Sequence, residues 1–414
     1  MRILLIHQYF LEKKDGGGSR FNEMVKIWSE KGHKITVLAG MIHYNTAKKD
    51  SKYNGKFIFK DKNFYKNVDV IRCYVSKNYN KSFAGRLWAY FSFVFSSIYA
   101  GTFKTSYKYD LILVTSPPLF VCVTGYFLSV FYRVPLVFEI RDLWPESAID
   151  TGILKNKLLI RFSYWFERLI LKKASLINVL TPSFKTKLIN EKKVSKDKII
   201  LIPNGADFSI LNYIYSDSSF NSNNFRKELG FENKFVITYV GAHGKANHLI
   251  QLIMAAEKLT ETNIIFQLIG SGMEKESLKR EAKKRNLNNI VFRDPVSKQD
   301  VFKYILSSDV GASVLKKVDT FKTIYSNKTF DYMSCKIPVL MLIDGLSRNL
   351  IENADCGIYA EPENVNDIVE KILNFSVLSK SRITEMGTNG FNFVVKNFDR
   401  KKLSLKYLKS LEKL

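Results

Sequence analysis

The stretch from Phe235 to Arg285 reads FVITYVGAHGKANHLIQLIMAAEKLTETNIIFQLIGSGMEKESLKREAKKR. Two apolar runs of strand length, FVITYV and NIIFQLI, each stop at a glycine, and each leads into a segment whose apolar residues recur at helical spacing. Strands that are apolar throughout must be covered on both faces, as in a parallel sheet packed between helices. The strand–glycine–helix repeat predicts βαβ units of a doubly wound sheet.

The rhythm continues downstream with NIVFRD, a helix over KQDVFKYILSS, then DVGASVL and PVLMLI. Upstream, ILLIHQYF, HKITVLAG, DLILVTS, VPLVFEI, SLINVLT and KIILIPN read as buried strands, with a helix over SRFNEMVKIWSEKG. Residues 208 to 224, FSILNYIYSDSSFNSNN, interrupt the pattern with serine and asparagine and are expected to form the linker. The predicted class is α/β, with two doubly wound Rossmann-like domains at 1–205 and 206–388. Residues 389–414 read as terminal helices, for which packing back on the first domain is one placement.

The 414 residues are 46% hydrophobic, enough for two cores, and carry a formal net charge of +25. That excess calls for an anionic partner: nucleic acid, an acidic membrane surface or a phosphorylated substrate. The cysteines, Cys73, Cys122, Cys335 and Cys356, form no CxxC pair and fit neither a disulfide framework nor a zinc site. MRILLIHQYF lacks a signal-peptide pattern and reads as a first strand. The most apolar segment, Leu87 to Phe103, falls short of the roughly 20 residues a membrane span needs. It is expected to be a buried or membrane-surface helix.

Ligands of doubly wound sheets sit at the carboxyl ends of strands, so the loops there carry the chemistry. After the first strand, Gly16, Gly17 and Gly18 let backbone approach an anion, with Ser19 at the start of the next helix; a plain flexible turn is the competing reading. In VFEIRDLWPESAIDTG, Glu139, Arg141, Asp142 and Glu146 surround Trp144-Pro145, which suits either preorganised polar work or a salt-bridged loop with a helix cap. In GAHGKAN, Gly241 and Gly244 flank His243, and Lys245 is expected near a helix N-terminus, a phosphate-binding arrangement without the full P-loop pattern. The loop at Gly270-Ser271-Gly272 is a nucleotide contact or a plain turn with an acidic cap. In FKTIYSNKTFDYMSC, Lys322 and Lys328 flank a helix start, and Asp331 accepts ribose hydroxyls or caps the helix.

Together these loops resemble glycosyltransferase family 4, the retaining, metal-independent enzymes of the GT-B fold. GGGSRFNEMVKIWSEKGHKITVLAG is similar to the family's opening, IPNGADF to its PNGVD signature, IGSGMEKESLK to its GxGxxxxxL segment and DYMSCKIPVL to its EAMACGxPV segment. RDLWPES and FKT-x3-SNK resemble a subgroup of O-antigen and capsule transferases that includes the WbuB-like L-fucosamine transferases. The resemblance covers nearly the whole chain and implies two domains facing a central cleft. It also departs from the family pattern. The E-x7-E motif falls on Thr323 and Asp331, the loop's usual Arg and Lys fall on Ala242 and Asn247, and the histidine before an aspartate falls on Arg141.

What the resemblance implies is a UDP-sugar donor, with N-acetyl-L-fucosamine the first candidate sugar, and a polyprenyl-diphosphate-linked saccharide as acceptor. Its donor set is Gly17, Gly18, Gly241, His243, Gly244, Lys245, Gly270, Gly272, Lys322, Thr323, Ser326, Asn327 and Asp331; the amides of Ser326 and Asn327 would face the diphosphate. The catalytic set is Arg141, Asp142 and Lys328, and the acceptor set Arg20, Ser116, Glu139 and Glu146. No metal and no cofactor beyond the donor is expected. The basic charge, with the aromatic segments Phe83 to Lys108 and Lys155 to Lys173, implies an anionic inner-membrane surface and a cytoplasmic, peripheral placement.

Three rivals remain at this point. A nucleic-acid-binding protein is motivated by charge alone, with no helix-turn-helix, RRM or finger signature, so no nucleic-acid partner is expected. A GT-B sugar-nucleotide epimerase would turn over a UDP-sugar without acceptor. A catalytically dead partner subunit, motivated by Thr323, would bind no nucleotide.

Overall fold

The computed structural model describes residues 1–13, 20–42, 49–80, 83–105, 108–150, 152, 154–217 and 220–414. The described residues form two compact units. Unit 1 holds Met1–Glu12, residues 20–203 and Lys401–Leu414; unit 2 holds Asn204–Arg400.

In unit 1, β1 (Arg2–Ile6), α1 (Arg20–Glu30) and β2 (Lys34–Gly40) lead to a hairpin of β3 (Ile58–Tyr65) and β4 (Val68–Cys73). There follow α2 (Phe83–Phe103), β5 (Leu111–Ser116), α3 (Val121–Tyr132), β6 (Leu136–Ile140) and α4 (Glu146–Asp150). The unit continues with α5 (Lys157–Lys173), β7 (Leu176–Val179), α6 (Pro182–Asn190) and β8 (Ile199–Leu201). The sheet order is β3-β4-β2-β1-β5-β6-β7-β8, parallel except for β3. Chain order reverses between β1 and β5, so the crevice outside their carboxyl ends is the expected place for a ligand.

The β3–β4 hairpin escapes the sequence reading. Lys60, Asp61 and Lys62 interrupt β3, which is tolerable only because β3 is an edge strand with a single neighbour. The apolar helix α2 buries Ala89, Phe93, Val94 and Ala100 and leaves Trp88, Phe95, Tyr99 and Phe103 exposed. Among the described residues no helix is long and apolar enough to cross a membrane.

Unit 2 opens with α7 (Phe208–Ser216) and α8 (Ser222–Glu228), where the sequence reading expects a linker. Asp207 caps α7 by accepting from the Ser209 amide at 3.0 Å, and Leu211 and Ile214 pack with Phe302 and Ile305. Each of those two side chains contributes about 1.5–3 kcal/mol on full burial. The apolar spacing Leu211–Ile214 was the signal, masked by the serines that follow it. The change of unit falls instead at Pro203–Asn204.

The strands and helices of unit 2 then alternate: β9 (Phe235–Val240), α9 (Ile250–Glu257), β10 (Ile264–Ile269), α10 (Lys275–Lys284), β11 (Ile290–Arg293) and α11 (Lys298–Leu306). Next come β12 (Val310–Val314), α12 (Asn327–Ser334), β13 (Val339–Leu342), α13 (Leu346–Asn353), β14 (Gly357–Tyr359), α14 (Val365–Ser376) and α15 (Lys380–Asn397). All six strands are parallel, in the order β11-β10-β9-β12-β13-β14, and the order reverses between β9 and β12.

The sequence boundary at 388 cuts through α15, which stays with unit 2. Gly387 lies so close to the main chain of Lys336 that an added Cβ would be 2.0 Å from its carbonyl oxygen. The chain returns to unit 1 only with α16 (Arg400–Leu411), whose Leu403, Tyr407, Leu408 and Leu411 join the core around Trp28. Trp28 Nε1 donates to Ser404 O at 3.0 Å, which meets the indole's single donor inside that core.

Candidate functional site

The carboxyl edge of unit 2 is built by close approach of main chain. Gly270, just past β10, has φ +146°, and a Cβ there would lie 1.9 Å from Gly241 O. Gly272 has φ +158°, and its Cβ would lie 2.4 Å from His243 O. No other residue fits either place without moving the loops. The two loops are then stitched together: the His243 amide donates to Ser271 O at 2.8 Å, and the Glu274 amide to His243 O at 2.9 Å. The His243 ring is fully buried and, among the described residues, neither nitrogen has a hydrogen-bond partner. Burial, then the charges of Lys275 and Lys279, pushes its pKa down to about 4, so it is neutral at pH 7.

Lys275 is a residue the sequence reading passes over. Its Nζ donates to Gly270 O at 2.8 Å, Arg293 O at 2.7 Å and Asp294 Oδ1 at 2.8 Å, and so ties the ends of β10 and β11 beneath the loop. Only its place three residues past Gly272 hinted at this. Glu274, read as an acidic cap, stands at the N-cap of α10 without a side-chain bond.

Lys328 reaches the same edge from the first turn of α12. Its Cε lies 3.2 Å from where a Cβ on Gly241 would be, and its Nζ sits 4.9 Å from the centroid of the Tyr239 ring. Burial lowers its pKa to about 8, partly opposed by Asp331, three residues on and half-buried. Gly241, Gly270, His243, Gly272 and Lys328 are thus brought together, with Asp331 one turn behind.

Other members of the donor set lie differently. Lys245 is exposed and precedes α9, which begins only at Ile250; a turn closed by the Asn247 amide on Gly244 O intervenes, so no helix N-terminus stands at Lys245. Lys322 is exposed and pairs with Asp319 at 2.9 Å, a partner that raises its pKa. The Thr323 hydroxyl donates to Thr320 O at 2.6 Å. The Ser326 amide donates to Ser347 Oγ at 3.2 Å, so it does not face a diphosphate as the sequence reading expects, whereas Asn327 is exposed. Ser347 also donates to Ile324 O at 2.9 Å and locks this loop to the start of α13. Gly17 and Gly18, with Gly16 and Ser19, lie outside the described residues.

The carboxyl edge of unit 1 is built instead from side chains. Arg20 Nε meets Glu139 Oε1 at 3.0 Å, and its other nitrogens donate to Pro203 O at 2.6 Å and Ile202 O at 2.8 Å. Glu139 Oε2 accepts from Asn178 Nδ2 at 3.0 Å. Both members of the pair are buried and hold one another, which corrects their assignment to an acceptor. Ser116 is buried as well, its carbonyl accepting from the Arg141 amide at 2.9 Å. Glu146 accepts from Lys192 at 2.9 Å, and Lys192 also pairs with Glu167, whose pKa burial lifts to about 7. Glu146 also lies 3.7 Å from Lys187 of α6, and so belongs to a charge cluster joining α4, α5 and α6.

Asp142 is half-buried. Burial raises its pKa to about 6 against the opposing hydrogen bonds from Ser147 and the Leu143 amide. Arg141 Nη1 lies 3.4 Å from His7 Nε2, and His7 Nδ1 lies 2.7 Å from Thr115 Oγ1. His7 and Thr115 were not foreseen; their position at the carboxyl ends of β1 and β5 was the available signal. Among the described residues no group of three or more His, Cys, Asp or Glu could hold a metal.

Known proteins share this architecture. WcaI of Escherichia coli K12, whose name assigns it to colanic acid biosynthesis as a glycosyl transferase, is 24% identical over 389 residues, 92% of this chain and 93% of the relative. The sucrose-phosphate synthase of Thermosynechococcus elongatus is similar with a TM-score of 0.74 at 15% identity, covering 100% of this chain and 98% of that one. HepE of Anabaena, solved with UDP-glucose, is similar with a TM-score of 0.72 at 18% identity, covering 100% of both chains. Residues 15–205 match the family described as "Glycosyl transferase 4-like domain", and residues 221–392 that described as "Glycosyl transferases group 1". Two such matches in this order, over two sheets of this topology, make the chain a glycosyltransferase of the GT-B fold and a member of glycosyltransferase family 4.

Proposed function

We propose that the enzyme transfers a sugar, with retention of configuration, from a UDP-sugar to a polyprenyl-diphosphate-linked saccharide in bacterial O-antigen or capsule assembly. The first candidate donor is UDP-N-acetyl-L-fucosamine, by resemblance of RDLWPES and FKT-x3-SNK to the WbuB-like transferases. The naming of WcaI for colanic acid and the UDP-glucose in HepE support a nucleotide-sugar donor and a polysaccharide product.

The observation that carries the reading is the meeting of Lys328 with the Gly241 and Gly270 loops at one strand edge. Negative charge develops on UDP as the sugar–oxygen bond breaks. A lysine held in place by its surroundings, beside main chain that only glycine allows so close, stabilises that charge without reorganising. Asp331 takes the ribose, and the acceptor hydroxyl attacks on the face the diphosphate leaves. Arg141 and Asp142 act on the acceptor side, Arg141 holding an anionic substrate group.

Membrane contact is assigned to unit 1. Trp88, Phe95 and Phe103 of α2, Phe127 and Phe131 of α3, and Leu158, Phe162 and Trp165 of α5 are exposed, with Lys104, Lys157, Arg161 and Arg168 on the same helices or just past them. These exposed aromatic and basic side chains support a peripheral placement at the inner face of the plasma membrane.

Thermal shift with UDP, GDP and dTDP and their sugars tests the donor. A bound donor raises the melting temperature, by more the tighter it binds. The UDP series should give the largest rise; a larger rise with GDP or dTDP, or none with any nucleotide, rejects the reading.

A further inference from the structure

At the point where chain order reverses in the sheet of unit 1, three side chains stand in line on three different strand ends: Thr115 in β5, His7 just past β1 and Arg141 just past β6. Thr115 and His7 are buried and Arg141 half-buried. The His7 ring is held from the sides by Phe21, with ring centroids 5.2 Å apart, and by Phe10, at 6.5 Å and edge-on. Arg72 of β4 is the other cation whose charge reaches it.

The proton position in this row follows from donor inventory. A guanidinium has donors and no acceptor. Arg141 Nη1 lies 3.4 Å from His7 Nε2, so Nε2 must offer its lone pair. The single ring proton then sits on Nδ1 and is donated to Thr115 Oγ1 at 2.7 Å. A second proton on Nε2 would set two cations against each other in a dry site. Burial, then Arg141 and Arg72, accordingly holds the imidazole well below the usual histidine pKa.

We infer that His7 is the positioning residue of Arg141: Thr115 fixes the ring, and the ring's Nε2 lone pair fixes the guanidinium at the carboxyl edge of unit 1. The inference rests on the reading of Arg141 as the group that holds an anionic part of the substrate. Its chemical content is that a neutral acceptor on another strand end helps set the cation's place, beside the carboxylate of Asp142, whose charge also acts on it. A glutamine, whose amide oxygen can accept, should serve where alanine or lysine cannot.

The test combines kinetics with the ring's own signature. His7→Ala should lower kcat/KM for the acceptor about tenfold, and His7→Gln should restore it to within about threefold of wild type. The double variant His7→Ala/Arg141→Ala should be no worse than Arg141→Ala alone, because both changes remove the same arrangement. Long-range nitrogen–proton NMR of ring-labelled protein should show His7 as the Nδ1–H tautomer, shifting toward Nε2–H in Arg141→Ala. Multiplying effects in the double variant, no recovery with glutamine in a folded protein, or an Nε2–H ring in wild type would each overturn the inference. If Arg141→Ala is impaired while the tautomer is wrong, only this inference falls. If Arg141→Ala is fully active, the reading of Arg141 in the reaction falls with it.

Discussion

At the carboxyl edge of unit 2, loops meet main chain to main chain, and the glycines at 270 and 272 leave no room for any other residue. At the carboxyl edge of unit 1, the contacts are made by side chains: Arg20 with Glu139, and His7 with Thr115 and Arg141. The difference teaches how each edge tolerates change. An edge of backbone amides and carbonyls is intolerant above all of added volume. An edge of buried ion pairs is intolerant of losing one partner, because the other charge is then left in a low dielectric.

The largest effect expected from this contrast is on unit 1. Glu139→Ala leaves Arg20 buried without its carboxylate and should cost about 3–5 kcal/mol of stability, read by urea denaturation. A loss below about 1 kcal/mol would mean that the carbonyls of Ile202 and Pro203 suffice for Arg20, and the contrast would weaken. Next comes Gly270→Ala in unit 2, whose new Cβ meets the Gly241 carbonyl; a loss of about 3 kcal/mol and of nucleotide-induced thermal shift is expected. Normal nucleotide binding in that variant would show that the two loops can part without harm to the donor site.

Lys328→Ala should lower turnover by more than about tenfold, or roughly 1.4 kcal/mol in the barrier, in a protein that still folds. Near-normal turnover would remove Lys328 from the diphosphate. The same lysine gives a pH signature with two opposite signs. Its pKa falls from 10.5 to about 8 in the fold, so between those values the unfolded chain holds more protons than the folded one, and stability rises with pH across that window. Donor kcat/KM should instead fall as pH passes about 8, where the amine loses its charge in the free enzyme. Lys328→Ala should lack both limbs; a limb that persists belongs to another group. The smallest effect is expected at Lys322, an exposed residue already paired with Asp319. Lys322→Ala should leave turnover within roughly twofold, and a larger loss would return it to the donor site.

Much of the fold was legible because its strands are buried on both faces. Runs such as ILLI, ITVLAG and LILVTS can hardly be anything but central parallel strands, and all six runs read in the first unit are strands there. What escaped notice lies toward the periphery, including β4, one place in from the edge. β3 is charged and β14 has only three residues, since edge strands need not be continuous and apolar. The helix at 208–216 hid behind serines because its stability comes from Leu211 and Ile214 packing on α11, not from its own propensity.

For the site, the sequence by itself determined where polar chemistry can stand: glycine after a buried strand and lysine at a helix start are local patterns, written within a few residues. Only the tertiary structure decided which of those groups are already engaged with each other. Arg20 and Glu139 are 119 residues apart in the chain, and His7 and Arg141 are 134 apart. Charge and period at one position carry no record of such a distant partner. Hydrogen bonding between them is a property of strand order, which places the ends of β1, β5 and β6 side by side; from the chain alone, a residue that holds a substrate and one that holds its neighbour look the same.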